Sequence, residues 1–186
     1  MKTIKTKRLI IRKPKMKDVE DIFEYSKTEF VGPIAGWLPH KDINETKSIL
    51  KQFIKSEDVW VIELKSIKKV IGTISLTTKS YYDLINDIYE LGYAINHNYW
   101  QQGFASEAAK AMIDFAFKDL KVQKLICAHD ESNVASRKII EKNQFELIKI
   151  DDNPKYSSNK IKKVYIYELY NPYRGVKNEN KVKSKI

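Results

Sequence analysis

The sequence predicts an α+β fold: one mixed, mostly antiparallel sheet of about seven strands flanked by about four helices. Three observations carry that reading. Short β-branched and aromatic runs recur along the chain, separated by turn residues. In the first half a strand and two helical patterns precede three consecutive strands, which short connections make antiparallel. In the second half helix, strand and helix alternate before two closing strands, so the sheet is mixed.

The elements follow in order. Residues 8–12 read as a first strand, apolar at Leu9, Ile10 and Ile11. Residues 17–28 read as a helix with Val19, Ile22, Phe23 and Ser26 on one side and Asp18 near its start. Gly32, Pro33, Gly36 and Pro39 make 30–41 a loop. Asp42 or Asn44 caps a second helix reaching about residue 55, with Ile49, Leu50, Phe53 and Ile54 inward. Strands at 58–65 and 69–79 form a hairpin through Ser66-Ile67-Lys68, and a third strand runs over 87–96. An amphipathic helix at 105–120, a strand at 124–129, a helix at 133–143 and strands at 145–151 and 162–170 complete the pattern. One domain over 1–173 is therefore expected, followed by a basic, flexible tail at 174–186.

Composition narrows the function classes. A chain of 186 residues with 42% hydrophobic content builds a single sizeable core. Cys127 has no cysteine to pair with, and His40, His97 and His129 are scattered, so neither an internal disulfide nor a metal site is expected. Cys127 lies in an apolar strand and reads as a buried structural thiol. No apolar run approaches membrane-spanning length, and Arg12, Lys13 and Lys15 interrupt the N-terminal one; a cytoplasmic protein without a membrane partner is expected. The formal charge of +10 invites a nucleic-acid partner, but the lysines are dispersed and no RNA-module motif is present. The charge reads as a solvated surface, and no specific nucleic acid is expected.

The stretch Tyr-Trp-Gln-Gln-Gly-Phe-Ala-Ser-Glu-Ala, from Tyr99 to Ala108, joins a strand to the amphipathic helix. It has no carboxylate between Tyr99 and Ser106, and Gly103 admits close approach of a ligand. Such a loop, feeding a helix N-terminus with unpaired amides, suits two linked phosphates. A second segment, Asn133-Val-Ala-Ser-Arg-Lys-Ile-Ile-Glu-Lys-Asn-Gln-Phe145, opens on a good helix cap, Asn133, with Ser136 one turn on.

These segments resemble the GNAT superfamily of acyl-CoA N-acyltransferases, and more closely its branch of ribosomal-protein N-terminal acetyltransferases. The opening strand Thr6-Lys-Arg-Leu-Ile-Ile-Arg12, Gly36-Trp-Leu-Pro39 with Glu45-Thr46, and Glu90-Leu-Gly-Tyr93 extend the likeness over most of the chain. Two positions depart from the family pattern. Gln101 stands where a glycine is frequent, and Asn143-Gln144 replaces a glycine turn before Phe145, so Asn143 is expected to take the left-handed conformation that ends the helix.

The resemblance implies transfer of the acetyl group of acetyl-CoA to a primary amine by direct attack within a ternary complex. The acceptor is a protein or peptide N-terminus, a ribosomal protein among them, or a small amine; the enzyme is a monomer or homodimer. The alternative is a non-catalytic acyl-CoA-binding regulatory module on the same fold. By the resemblance, Ala94 and Ile95 supply backbone groups to the pantetheine arm. The amides of Gln101, Gln102, Gly103, Phe104, Ala105 and Ser106 cradle the pyrophosphate, where a larger side chain at Gly103 would obstruct it. Asn133 orients the pantetheine, and Ser136 protonates the leaving thiolate or is a plain capping hydroxyl. Glu90, which strand alternation places on one face with Gly92 and Ala94, is the candidate general base; Asp87, His129, Tyr165 and Tyr167 are alternatives. Trp37 and His129 are candidates to line the acceptor site, although Trp37 equally suits a core plug.

Overall fold

The computed structural model of the protein describes residues 1–78, 87–153 and 162–174. A two-residue strand, Ile4–Lys5 (β1), turns back as Leu9–Arg12 (β2). A 3₁₀ turn, Met16–Asp18, leads into Val19–Ser26 (α1), then Gly32–Ala35 (α2) and Ile43–Ser56 (α3). Val59–Leu64 (β3), Lys69–Thr77 (β4) and Ile88–Ile95 (β5) follow, and a second 3₁₀ turn, His97–Tyr99, precedes Phe104–Lys118 (α4). Lys124–Asp130 (β6), Val134–Lys142 (α5), Glu146–Asn153 (β7) and Lys162–Tyr170 (β8) complete the order. The eight strands form one sheet, β1-β2-β3-β4-β5-β6-β8-β7, antiparallel throughout except between β5 and β6.

The helices are written into the chain locally. The Asp42 carboxylate accepts from the amides of Asn44 (2.7 Å) and Glu45 (2.9 Å), and Glu45 reaches back to the Lys41 amide (2.6 Å). Asp42, not Asn44, is therefore the cap of α3. Along α4, Phe104, Ala108, Met112, Phe115 and Ala116 are buried at helical spacing, and the small residues let the helix lie close on the sheet. They join Leu9, Ile62, Ile71, Leu91, Leu125 and Tyr167 in the core of one sheet face, which α5 completes through Ile140. On the opposite face α1 and α3 bury Val19, Ile22, Tyr25 and Leu50 against Val61 and Val70. The sheet is thus covered on both faces; its ladder shifts register at Ile62/Glu63 and at Leu147/Lys149, and it parts at the gap described below.

Three details differ from the sequence expectation. There are eight strands and, among the described residues, five α-helices. The added strand, β1, is too short for periodicity to reveal. The added helix, α2, lies in the expected loop: Pro33 sits in its first turn, where a missing N–H costs nothing, and Gly36 ends it at φ 94. Before Phe145 the left-handed residue is Gln144 (φ 63), while Asn143 stays at φ −89. Asn143 is held there because its side-chain amide donates to the Ile139 carbonyl (2.8 Å), so the reversal passes to the next residue. The end of the expected strand at Lys79 and the tail beyond Arg174 lie outside the described residues.

Candidate active site

The parallel pairing of β5 with β6 covers Ile88, Tyr89 and Glu90 opposite Lys124, Leu125 and Ile126, and then stops. Beyond Glu90 the strands part: β5 continues against β4 alone, and β6 continues against β8. A cleft of about 120 Å³ opens at the parting, lined by Glu90, Tyr93, Cys127, His129, Asn133 and Ser136 together with the α2 backbone at Ile34–Gly36. The structure therefore brings Glu90, Asn133, Ser136 and His129 together, although they are far apart in sequence. A larger hollow of about 660 Å³ touches Asp119 and Leu120, beyond the last turn of α4. A helix of that length puts its Asp119 side about 20 Å from the α4 N-terminus and the expected anion loop, while Tyr89, in the paired part of β5, also lines it.

Register decides which backbone groups face the gap. The Asn96 amide donates to the Ile71 carbonyl (2.8 Å). Bonded pairs recur at alternate residues of an antiparallel ladder, so Ala94 and Gly92 turn their amides and carbonyls toward Thr73 and Ser75 of β4. A Cβ placed on Gly72 would lie 2.2 Å from the Ala94 oxygen, which shows the same orientation and explains glycine at 72. Tyr93 and Ile95 consequently point theirs into the gap, where the Ile95 carbonyl accepts from the Trp100 indole (2.7 Å). Ala94 was expected to offer backbone groups to a ligand; in this register its own are directed to β4, and those of Tyr93 face the gap.

The loop from Gln101 to Ser106 reaches the α4 N-terminus at the open end of this gap. Gln101 takes the left-handed conformation itself (φ 60), so the turn that lacks a first glycine is made by a strained glutamine. Gly103 follows at φ 78 and begins α4 without a side-chain cap, which leaves the first-turn amides to an outside acceptor. The carboxylate nearest to them, Glu107, is turned away. It accepts from the Thr6 hydroxyl (2.6 Å), the Arg8 amide (2.9 Å) and the Arg8 Nε (2.7 Å). Arg8 also donates to the Gln102 carbonyl (2.8 Å) and lies 4.3 Å over the Phe104 ring. Burial opposes ionisation of Glu107, but Thr6 and Arg8 outweigh it and hold its carboxyl below the ordinary carboxylate value. The result is a helix mouth with free amides, an adjacent guanidinium and a neutralised carboxylate. Sequence reading missed Arg8 and Glu107, since nothing local joins residues so far apart.

At the other end, the Asn133 carbonyl oxygen caps α5 by accepting the Ser136 amide (3.0 Å), and its amide donates to the Ile34 carbonyl (3.4 Å). Asn133 thus ties α5 to α2 across the cleft. Ser136 is 8% exposed, with its hydroxyl 3.0 Å from that of Tyr93. Cys127 is buried; burial, and then Glu90, push its thiol far above the ordinary range, which makes it an inert core residue. His129 is held on the α5 side: Nδ1 donates to the Asp130 carbonyl (2.7 Å), Nε2 accepts from the Tyr167 hydroxyl (3.0 Å), and Tyr165 stacks on it at 5.2 Å. Trp37 does not line the cleft. It packs against Gly32 and the α1–α3 core, 5.3 Å from the His40 ring. Asp87 lies at the closed end of β5, paired with Arg174 (3.1 Å).

Residues 8–146 match the acetyltransferase (GNAT) domain family. The chain belongs to that family. An uncharacterized N-acetyltransferase, p20, of Bacillus licheniformis is 25% identical over 175 residues, 91% of this chain and 96% of that protein. A GNAT-family acetyltransferase structure from Bacillus anthracis superposes with a TM-score of 0.80 at 24% identity, covering 91% of this chain and 99% of that one. The ribosomal-protein-S5-alanine acetyltransferase of Vibrio fischeri shares the fold at a TM-score of 0.75 and 19% identity, covering 93% and 98%. That family acts on acyl-CoA and an amine. Among the described residues no helix is long and apolar enough to cross a membrane.

Proposed function

We propose that the protein is an acetyl-CoA-dependent N-acetyltransferase that acts on a primary amine by direct attack, with both substrates bound. The observation that carries this reading is the gap between β5 and β6, which leads from an uncapped helix mouth to a cleft lined by both a carboxylate, Glu90, and a hydroxyl, Ser136. The diphosphate of the donor is held by the amides of Gln101 to Ser106, with Arg8 alongside. The pantetheine arm lies along β5 as an added strand, meeting the backbone of Tyr93 and Ile95.

Glu90 occupies the point where the strands separate, on the sheet face opposite Tyr93 and Ser136. The amine therefore approaches from one face and the sulfur departs toward the other. Glu90 takes the proton that the attacking nitrogen loses as the C–N bond forms. A thiol titrates near 8.5 and a serine hydroxyl is a far weaker acid, so Ser136 assists by donating a hydrogen bond to the sulfur as the C–S bond breaks. The proton shed by the amine balances the one the thiol finally carries. A protein α-amine, with a pKa of about 7.7–8.0, is roughly a tenth neutral at pH 7, whereas a lysine amine is almost wholly charged. One carboxylate is enough base for the α-amine, so an N-terminal amine is the acceptor class favoured.

The test is thiol release from acetyl-CoA against a panel of N-terminal peptides, lysine peptides and small amines. Turnover with α-amines, lowered about 10²–10⁴-fold in Glu90→Gln with acetyl-CoA affinity unchanged, is the expected result. Tight acetyl-CoA binding without turnover on any acceptor would replace the enzyme by an acyl-CoA-binding module.

A further inference from the structure

We infer that Tyr93 is a positioning residue for the transfer, aiming the Ser136 hydroxyl into the cleft; this rests on the acetyltransferase reading above. The two hydroxyl oxygens lie 3.0 Å apart, and the other acceptor within reach of the Tyr93 hydroxyl, the Ser136 carbonyl, is farther away at 3.4 Å. A serine hydroxyl in the first turn of a helix has a rotating proton and competing local acceptors, the cap oxygen of Asn133 among them. Tyr93 has one proton to give. When it gives that proton to Ser136 Oγ, the serine proton is left for a group in the cleft. Burial, together with nearby Cys127, pushes the Tyr93 phenol far above its ordinary value, and the bond to Ser136 only partly offsets this. Tyr93 therefore remains a donor throughout the pH range in which an amine is transferred.

The position is not accidental to packing alone. Tyr93 comes from β5, whose backbone at this residue faces the gap, and its ring packs into the core beneath α4 and α5. Ser136 comes from α5, fixed by the Asn133 cap. One hydrogen bond thus couples the strand that carries the donor substrate to the helix that carries the hydroxyl. Movement of either changes the direction of the Ser136 proton.

The experiment compares wild type, Tyr93→Phe, Ser136→Ala and the double variant in thiol release, with acetyl-CoA affinity measured by calorimetry. Tyr93→Phe keeps the ring and hence the packing. It is expected to lower kcat roughly three- to tenfold while leaving acetyl-CoA affinity and KM within twofold. Ser136→Ala is expected to lose at least as much, and the double variant no more than Ser136→Ala. Unchanged kcat in Tyr93→Phe, or losses that multiply in the double variant, would overturn the inference while wild-type turnover keeps the enzyme reading intact. A wild type that binds acetyl-CoA but releases no thiol overturns both.

Discussion

Gly103 offers a sharp test because its conformational and electrostatic roles separate. Its φ of 78 is a left-handed conformation, so any other residue there bears about 1–2 kcal/mol of strain. Space is not the obstacle: a Cβ would meet only Arg8, at an ordinary 3.5 Å. Gly103→Ala should therefore lower Tm by roughly 2–8 °C and leave the helix mouth open. Gly103→Glu adds a negative charge beside the place proposed for the phosphates. At about 4 Å the repulsion per phosphate charge is about 1 kcal/mol in a water-like surrounding and about 4 kcal/mol near a protein surface. That corresponds to roughly 5- to 800-fold weaker acetyl-CoA binding. Gly103→Gln carries nearly the same shape without the charge. Calorimetric titration of all three variants at low and high salt is the assay. The Glu variant should bind far more weakly than the Gln variant, with the difference shrinking as salt rises. Equal affinities of the Glu and Gln variants would refute phosphate binding at this helix mouth.

Two further outcomes concern the same loop. Gln101→Gly removes a left-handed glutamine at φ 60 and should raise stability by about 0.5–1 kcal/mol, seen as a Tm higher by roughly 1–4 °C. Arg8→Ala removes the partner of Glu107 and of the Gln102 carbonyl; because Arg8 is 40% exposed, the loss is about 1–2 kcal/mol. Its pH dependence has a definite sign. The Glu107 carboxyl is held below its ordinary 4.5, so the stability it contributes is complete above that value and drains as pH falls through the folded one. Urea midpoints of wild type and Arg8→Ala should differ clearly at pH 7, and the difference should narrow as the pH falls below the ordinary carboxylate value and through the lower folded one; a constant difference would contradict the ion-pair account.

The sequence made the framework legible where physics is local. The period of Phe104 to Ala116 marks a helix, Asp42 and Asn133 are helix caps by residue type, and the Tyr99–Ala108 stretch declares its lack of carboxylates. The uncapped turn could be read because a strand, that turn and a helix are consecutive. Contacts between distant segments were illegible. Arg8 with Glu107, and Tyr93 with Ser136, are chosen by strand order, which no residue spacing reveals. The assignment to Ala94 failed for a related reason. Alternation shows which side chains share a face, but the direction of each amide depends on how β5 is registered against β4. Asn143 misled because a side-chain bond to the preceding turn overrode its tolerance of the left-handed region.

The early divorce of β5 from β6 has a bearing on how long the protein lasts. Two central strands of a sheet are left with bare edges over several residues, an arrangement that is usually tolerated only at a sheet's margin. On the proposed reading, a bound pantetheine arm would close that seam from within and act as a removable piece of scaffold. At a hundredfold excess over its dissociation constant, such a ligand adds about 2.7 kcal/mol to the folded state. Scarcity of the thioester would then hasten turnover of the protein by proteases.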